Sequence, residues 1–454
     1  MTTTDRDAWG ERLPRTVTLF PAIMVLIGIT IGSGIFRVPA RVAGVLGAPG
    51  PVILVWVLGG MLALFGALTL AELAALFPRS GGVFAYLEEG FGPLPAFLFG
   101  WSQLAVIRAS ALGAISTIFA EYLSYFLPLT ATQVHWVAAA LIAFVGIVNW
   151  LGVQRAAVVT PFATIVKYGA LVLLVLLAFT ARTGSVHNFS PLWSGALSFS
   201  ALATALVPVM WAYDGWADIS FMSGEIKDPA RTLPRALIIG TLLIILIYLS
   251  ANLAYMYLVP LPELAQSPLI ASTAAQRIPL LGSAGAGLIA AVVMISTFSS
   301  VNGTMMASPR IFFGMADRGL FFQGIARVSP KFQSPSTAIF LATGLGVVYV
   351  LFNNFQQLAD KFVLGIWPFY TLAVLAVFLI RRRAPDLPRA YRVLGYPVVP
   401  LVFLLAAVGM IVNALVTDPV NTGITFGIIL VGIPVYYVAL AAGWIKPVGM
   451  VKAG

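Results

Sequence analysis

Apolar runs of about 20 residues, each enough to cross a bilayer, recur from one end of this chain to the other. In hydrocarbon every backbone N–H and C=O must be satisfied within the protein, which leaves only helices and closed barrels. Runs of this length predict helices, since a spanning strand needs only about ten residues. Twelve spans follow: about 17–46, 51–77, 93–126, 134–150, 157–180, 198–226, 233–258, 281–314, 335–353, 361–382, 396–416 and 422–444. The prediction is an all-α polytopic membrane protein. Composition agrees, with 60% of residues hydrophobic and 9% charged, against roughly 25% charged in an ordinary soluble domain. No cleavable signal peptide is expected, because the first twelve residues are polar and the first run is too long.

A net charge of +10 would suggest a nucleic-acid partner in a soluble protein, but its distribution along the chain gives another account. With the N-terminus in the cytoplasm, inner segments hold 19 of the 26 basic residues. These are Arg6, Arg12, Arg15, Arg79, Arg155, Lys227, Arg231, Arg235, Arg310, Arg318, Arg327, Lys331, Arg381, Arg382, Arg383, Arg389, Arg392, Lys446 and Lys452. The outer side receives five, Arg37, Arg41, Arg182, Arg277 and Lys361, while Arg108 and Lys167 fall within spans. This bias predicts both termini inside, in a multi-pass protein of the cell's inner (plasma) membrane. The lipid bilayer is then the partner, and no nucleic acid is expected. The chain has no cysteine, so no disulfide to a second subunit can form. His135 and His187 sit at the ends of apolar runs and are too few for a metal cage; no metal or other cofactor is expected.

The first and sixth spans carry glycine-containing interruptions, Gly32-Ser33-Gly34 and Tyr213-Asp214-Gly215, and the third and eighth are both unusually long. The offsets nearly agree: 183 residues from Gly32 to Gly215, and 188 between the starts of the long spans near 93 and 281. A five-span unit therefore repeats, and its odd span number inverts the second copy, the 5+5 pattern of secondary transporters. The predicted division is a cytoplasmic tail 1–16, a first repeat 17–180, a second repeat 198–382, two further spans in 396–444, and a cytoplasmic tail 445–454. Spans eleven and twelve lie outside the repeat, with no role readable from sequence.

Three glycines in Gly28-Ile29-Thr30-Ile31-Gly32-Ser33-Gly34 make the first helix easy to unwind. An unwound turn at membrane depth is tolerated only where it is buried in protein or lines a polar cavity. Amides freed after the break face one end of that cavity and carbonyls before it face the other, so an amino acid's carboxylate and ammonium can be held together. The alternative is a small-xxx-small packing step at Gly28 and Gly32. In the second break, Gly215 loosens the helix and Asp214 suits a non-helical turn. Trp211 is deep enough to gate a bound ligand, although packing or an interfacial position is the commoner role of tryptophan in membranes. Asp214 and Asp218, one turn apart on one face, suit either a substrate amine or an internal ion pair with Arg37 or Arg108.

Gly32-Ser33-Gly34-Ile35-Phe36, Ala212-Tyr213-Asp214-Gly215-Trp216 and the segment Gly224-Glu225-Ile226-Lys227-Asp228-Pro229 resemble the amino acid–polyamine–organocation superfamily. Asn302-Gly303 and Ser308-Pro309-Arg310-Ile311-Phe312-Phe313 fit its L-type (light-chain) amino acid transporters and their bacterial relatives. The resemblance covers essentially the whole chain and implies the LeuT-type fold, with twelve transmembrane helices and breaks in helices 1 and 6. It also implies that Ser33, Gly34 and neighbouring amides, Gly32 among them, take the substrate carboxylate. Carbonyls of Thr30, Ile31, Trp211 and Tyr213 would lie near the amine, and Ala212, Asp214 and Gly215 would complete the site, with Trp211 as gate. Two departures stand out. Asp214 occupies a position where relatives often carry glycine, which bears on substrate charge. Without cysteine, the disulfide-linked heavy chain of the animal members has no anchor.

Lys167 lies about ten residues into its span, roughly 15 Å from the inner end. Burying an ammonium there costs about 2.5–3.5 kcal/mol, and its stem does not easily snorkel out from that depth. In sodium-independent relatives a lysine on this span stands where a sodium ion would bind. The resemblance would bring Lys167 toward the carbonyls of Gly28 and Ile31 and the hydroxyls of Ser299 and Ser300, coupling three spans. If it gives up its proton, proton coupling becomes possible. Arg108, midway along the third span, should face a cavity or a carboxylate; Asp214 or Asp218 is the expected partner and an anionic substrate the alternative.

The expected function is secondary active transport of an α-amino acid by alternating access, sodium-independent, through exchange or proton linkage. The alternative is a carrier for a cationic amino acid or polyamine using Asp214. An enzyme lacks its constellation: HExxH and cysteine are absent and the histidines are peripheral. A channel would need a filter or a charged ring, and neither is visible.

Overall fold

Each of the twelve apolar segments contains a helix in the computed structural model, which describes residues 15–78, 81–151, 159–180, 182–317, 319–322, 324–325, 329 and 334–446. Arg6, Arg12, Arg79, Arg155, Arg318, Arg327, Lys331 and Lys452, with most of both predicted tails, lie outside the described residues. In chain order the helices begin with α1 Leu19–Thr30, α2 Val38–Leu46, α3 Pro49–Leu76 and α4 Val83–Phe91. They continue with α5 Pro93–Leu123, α6 Ala131–Trp150, α7 Val159–Thr180, α8 Phe199–Tyr213 and α9 Pro229–Leu258. Two short helices follow, α10 Leu261–Gln266 and α11 Ile270–Gln276; then come α12 Gly282–Asp317, α13 Ser336–Phe352, α14 Phe355–Arg383, α15 Val398–Thr417 and α16 Pro419–Ala441.

Eight helices among the described residues are long and apolar enough to cross a membrane: α3, α5, α6, α9, the 284–308 part of α12, α14, α15 and α16. Four shorter apolar helices are α1, the 165–180 part of α7, α8 and α13. No strand forms among the described residues. The only extended pairing there is an isolated bridge between Val17 and Ile226.

The first predicted break is present and longer than its three-residue motif. α1 stops at Thr30, Ile31 leaves helical geometry (φ −76°, ψ 85°), and a 3-10 turn at Gly34–Phe36 precedes α2. Pro39 sits in the first turn of α2, where its missing N–H costs nothing. The second break is sharper. Asp214 is extended, and Gly215 has φ +105°, a conformation side chains resist. Beyond it the chain winds as a 3-10 helix over Asp218–Glu225 instead of resuming an α-helix. Ser220 and Ser223 explain part of this: their hydroxyls donate three residues back, to the carbonyls of Ala217 (2.6 Å) and Ser220 (2.5 Å), locally satisfying a tight winding.

Packing sets the two breaks inside the protein. α9 lies along α3 and α1, while α8 packs on α2, α3 and α14. A second group packs α5 with α6, α12, α13 and α14. Ion pairs fasten opposite ends of the bundle. At the end carrying α2, Arg37 pairs with Glu121 (2.8 Å) and Arg41 bidentately with Asp360 (2.8 Å to each oxygen). At the other end Glu72, 1% exposed at its side chain, takes Arg381 (2.5 Å), Arg389 (3.3 Å) and the amide of Val393 (2.8 Å).

Candidate functional site

The two helix breaks abut. A Cβ built on Gly34 would stand 2.6 Å from the Cα of Ala212, and one on Gly215 would stand 2.9 Å from Oγ1 of Thr30. Each break thus has a glycine pressed against the other, Gly34 on the backbone of Ala212 and Gly215 on the side chains of Thr30 and Ile29, and no other residue type fits either place without displacement. Thr30, Ile31, Ser33, Gly34, Trp211, Ala212, Tyr213 and Gly215 are all buried here, with Gly32 and Asp214 partly so. The predicted pair of interrupted segments is therefore one place in the fold.

Unwinding the first helix frees particular backbone groups. The amide of Gly32 turns to the carbonyl of Thr30 (2.8 Å) instead of reaching back to Gly28. The Gly28 carbonyl accepts from Nζ of Lys167 at 3.0 Å. Lys167 is 3% exposed, and its ammonium takes the acceptor that the helix gave up. Ser300 faces the same stretch, its hydroxyl 3.7 Å from where a Gly32 Cβ would be, while donating to Ser296 (3.0 Å). Ser299 is buried nearby in sequence. Among the described residues no hydrogen bond joins Lys167 to Ile31, Ser299 or Ser300. In the 3-10 turn, Phe36 and Arg37 donate to the carbonyls of Ser33 and Gly34, and the first amides of such a turn have no acceptor within it.

Tyr248, on α9, was not singled out by its sequence. Its hydroxyl lies 2.9 Å from the carbonyl of Thr30 and 2.9 Å from that of Ala212, the ends of the two interrupted helices. One hydroxyl proton serves one acceptor fully, so the two carbonyls compete for it. Thr30 already receives Gly32, which leaves Ala212 the less satisfied of the pair. Tyr213 turns away from the gap, donating to the carbonyl of Trp56 (3.1 Å) with its ring against Trp56 and Tyr248. A buried tyrosine at helical spacing reads as core, and only the three-dimensional meeting of two helix ends singles Tyr248 out.

Trp211 is 8% exposed and packs edge-on to Phe362 and Phe355, at 4.9 and 6.4 Å between ring centroids. It therefore joins α8 to the first turns of α14, next to the Arg41–Asp360 pair. The predicted ion pair of Arg108 does not form: neither Asp214 nor Asp218 lies within 4.0 Å of it among the described residues. The physical reason is a π-helical turn at Gln103–Ile107, just before Arg108, whose guanidinium Nε donates to Gln103 (2.9 Å). Asp214 accepts from the hydroxyl of Tyr370 at 3.2 Å. The charge of Arg108 still acts on both carboxylates through space. Arg37, the other partner considered, pairs with Glu121.

Two facing helix ends with spare amides, competing carbonyls and an aromatic cover suit reversible binding of a small zwitterion. No group of three or more histidine, cysteine or acidic residues suited to a metal occurs among the described residues. Comparison with known proteins decides the family: residues 17–440 match the amino acid permease family. The chain belongs to that family. Over 427 residues it is 30% identical to the serine/threonine exchanger SteT of Bacillus subtilis, covering 94% of this chain and 97% of the relative. It is 31% identical over 415 residues to the b(0,+)-type amino acid transporter 1 of Mus musculus, covering 90% and 84% of the two chains. The cystine/glutamate transporter of Homo sapiens matches at 31% over 432 residues, covering 94% and 85%. This amino acid permease is thus a multi-pass membrane protein whose relatives are transporters and exchangers. Having no cysteine, it cannot form a disulfide to a second subunit.

Proposed function

We propose that this permease carries an α-amino acid by alternating access without sodium, through exchange or proton linkage. The observation that carries the reading is the contact of Gly34 with Ala212, which puts two interrupted helices face to face. In this reading the fold is of the LeuT type: twelve spans, the first ten in two inverted repeats (17–180 and 198–382), with both termini cytoplasmic. The carboxylate lies on the amides of Gly32, Ser33 and Gly34, and the ammonium near the carbonyls of Thr30, Ile31, Trp211 and Tyr213. Ala212, Asp214 and Gly215 complete the wall, and Trp211 closes the outer side. Lys167 supports sodium independence, because its ammonium occupies a freed carbonyl of the first helix, where a cation would be held. Ser299, Ser300 and Ile31 border that position in the same reading.

The test is uptake of a labelled amino acid panel into liposomes holding the purified protein, with internal amino acid, pH and sodium varied separately. Saturable flux that is stimulated by internal amino acid or a proton gradient, and unchanged when sodium is replaced, is expected. Absence of saturable amino acid flux under every condition sinks the proposal.

A second reading is favoured by one observation. Asp214 is met by the Tyr370 hydroxyl and the Gly215 backbone and, among the described residues, by no cation within 4.0 Å, which leaves its carboxylate to a basic substrate. Under it the substrate is a cationic amino acid or polyamine, and lysine, arginine or putrescine dominates the same panel.

A further inference from the structure

Away from the helix breaks, the ends of α8, α14, α15 and α16, with Arg41 of α2, line a partly open cavity of about 170 Å³. Its lining includes Arg41, Asp360, Lys361, Asn413, Asp418 and Asn421.

Partner accounting inside the cavity is uneven. Asp360 has both oxygens on Arg41. Asp418 caps α16 through the amide of Asn421 (3.3 Å) and accepts that residue's Nδ2 at 3.1 and 2.9 Å. Asn413 donates to Thr204 at 3.1 Å. Lys361 is the exception. It is 6% exposed, yet its ammonium, with three protons to give, has one long contact, 3.4 Å to Oδ1 of Asn421. Asp360 and Asp418 act on it through space, but neither forms an ion pair with it within 4.0 Å among the described residues. An ammonium on the cavity wall with donors left over calls for a further acceptor, and the cavity has room for one small solute and some water.

We propose that this cavity is a second binding site, taking the carboxylate of a small solute, free amino acids included, with Lys361 as its anchor. Arg41 is the second cation within the cavity, so a bound carboxylate sits beside the pair that fastens α2 to α14. The distribution of basic residues puts this end outside the cell, and the solute enters from there. The site also accounts for α15 and α16, which supply Asn413, Asp418 and Asn421 to its wall.

The test is ligand-observed NMR (saturation transfer) on the full chain in nanodiscs, with propionate as the probe. Propionate has no ammonium and so lacks half of what the helix breaks would hold. Expected are a signal for propionate and at least a fivefold weaker one for propionamide. Lys361→Met should abolish the signal, Lys361→Arg should keep at least half, and Gly34→Ala, which disturbs the helix breaks, should leave it intact. Glycine should displace propionate if free amino acids share the site. Thr417→Trp, on the exposed rim of the cavity, should also weaken the signal, so the question stands even where Lys361→Met does not fold. The proposal is overturned by no propionate signal in the wild type, by equal signals for propionate and propionamide, or by a signal that survives Lys361→Met. Displacement by equimolar chloride would equally overturn it, in favour of a halide site. Loss of the signal in Gly34→Ala alone would overturn it too, assigning the propionate to the helix breaks.

Discussion

Gly34 and Ala212 touch backbone to backbone, so a methyl group on Gly34 would come within 2.6 Å of the Cα of Ala212. The neighbour is main chain and cannot swing aside. Gly34→Ala must therefore separate the two interrupted helices, at a cost of about 1–3 kcal/mol for overpacking. If the gap between them is the substrate site, flux in liposomes should fall at least about tenfold, the equivalent of 1.4 kcal/mol, while the protein still elutes as a single species. Gly303→Ala is the control, because a Cβ there meets nothing within 4 Å. Equal flux in Gly34→Ala and wild type would remove the gap from the transport path.

How much of the molecule is legible in its sequence depends on the kind of signal. Helix positions follow from apolar length alone, because hydrocarbon admits few alternatives, and the breaks follow from Gly32, Gly34 and Gly215. The contact of Lys167 with Gly28 is implied by the family resemblance; its physical cause, the amide of Gly32 abandoning Gly28, needs the dihedral angles. Arg108 misleads because a π-helical turn re-aims a side chain without altering hydropathy. Tyr248 is invisible for another reason: nothing along α9 distinguishes a tyrosine that meets two helix ends from one that fills space. The 3-10 winding after Gly215 is equally hidden, since serines bonding to their own turn look like ordinary polar residues.

Tyr248→Phe keeps the ring and removes the hydroxyl shared by Thr30 and Ala212. A buried carbonyl left without its donor costs about 1–3 kcal/mol. Water or the substrate ammonium can replace that donor, so the effect should divide. Thermal stability of the substrate-free protein should drop, and saturating amino acid should restore more of it than in wild type. A thermal melt with and without substrate checks this; an identical shift in both proteins would show that the hydroxyl has no bearing on the binding gap.

Lys167→Met retains most of the volume of the stem and removes the ammonium on Gly28. Removing a buried charge is favourable and orphaning a carbonyl is not, so stability should change little. Transport should change much more, by about tenfold or above, if the ammonium ties α7 to the unwound end of α1. Flux measured across a pH series separates two roles. A fixed cation gives variant and wild-type profiles of the same shape, whereas a proton-carrying one gives a variant that has lost its pH response. Flux indistinguishable from wild type at every pH would exclude Lys167 from the mechanism.

Glu72 joins α3 to the end of α14 and the segment after it, accepting Arg381, Arg389 and the Val393 amide while almost wholly buried. Glu72→Gln leaves two guanidinium groups facing a neutral amide. Breaking a buried pair from one side costs about 3–5 kcal/mol, discounted here because Arg381 is 22% exposed at its side chain and partly screened. We expect a clear fall in melting temperature in detergent with the apparent substrate affinity of the surviving protein unchanged. A lowered affinity at unchanged stability would relocate Glu72 from scaffold to transport path.

Asp214 decides between the two substrate readings. It meets Tyr370 through one oxygen at 3.2 Å, and Arg108 is held by Gln103 instead of by either aspartate. Asp214→Asn keeps the shape and the hydrogen bond from Tyr370 while removing the charge. If a substrate's basic side chain uses that carboxylate, uptake of lysine or arginine should fall at least about tenfold, and uptake of neutral amino acids should hold within about twofold, less than 1 kcal/mol. If the carboxylate serves only to balance Arg108 through space, the loss should fall on all substrates alike and be eased by Arg108→Gln in the double variant. Competition uptake with serine and lysine at one labelled concentration distinguishes the two. The reading based on a cationic substrate fails if lysine neither competes with serine nor is itself carried by the wild type.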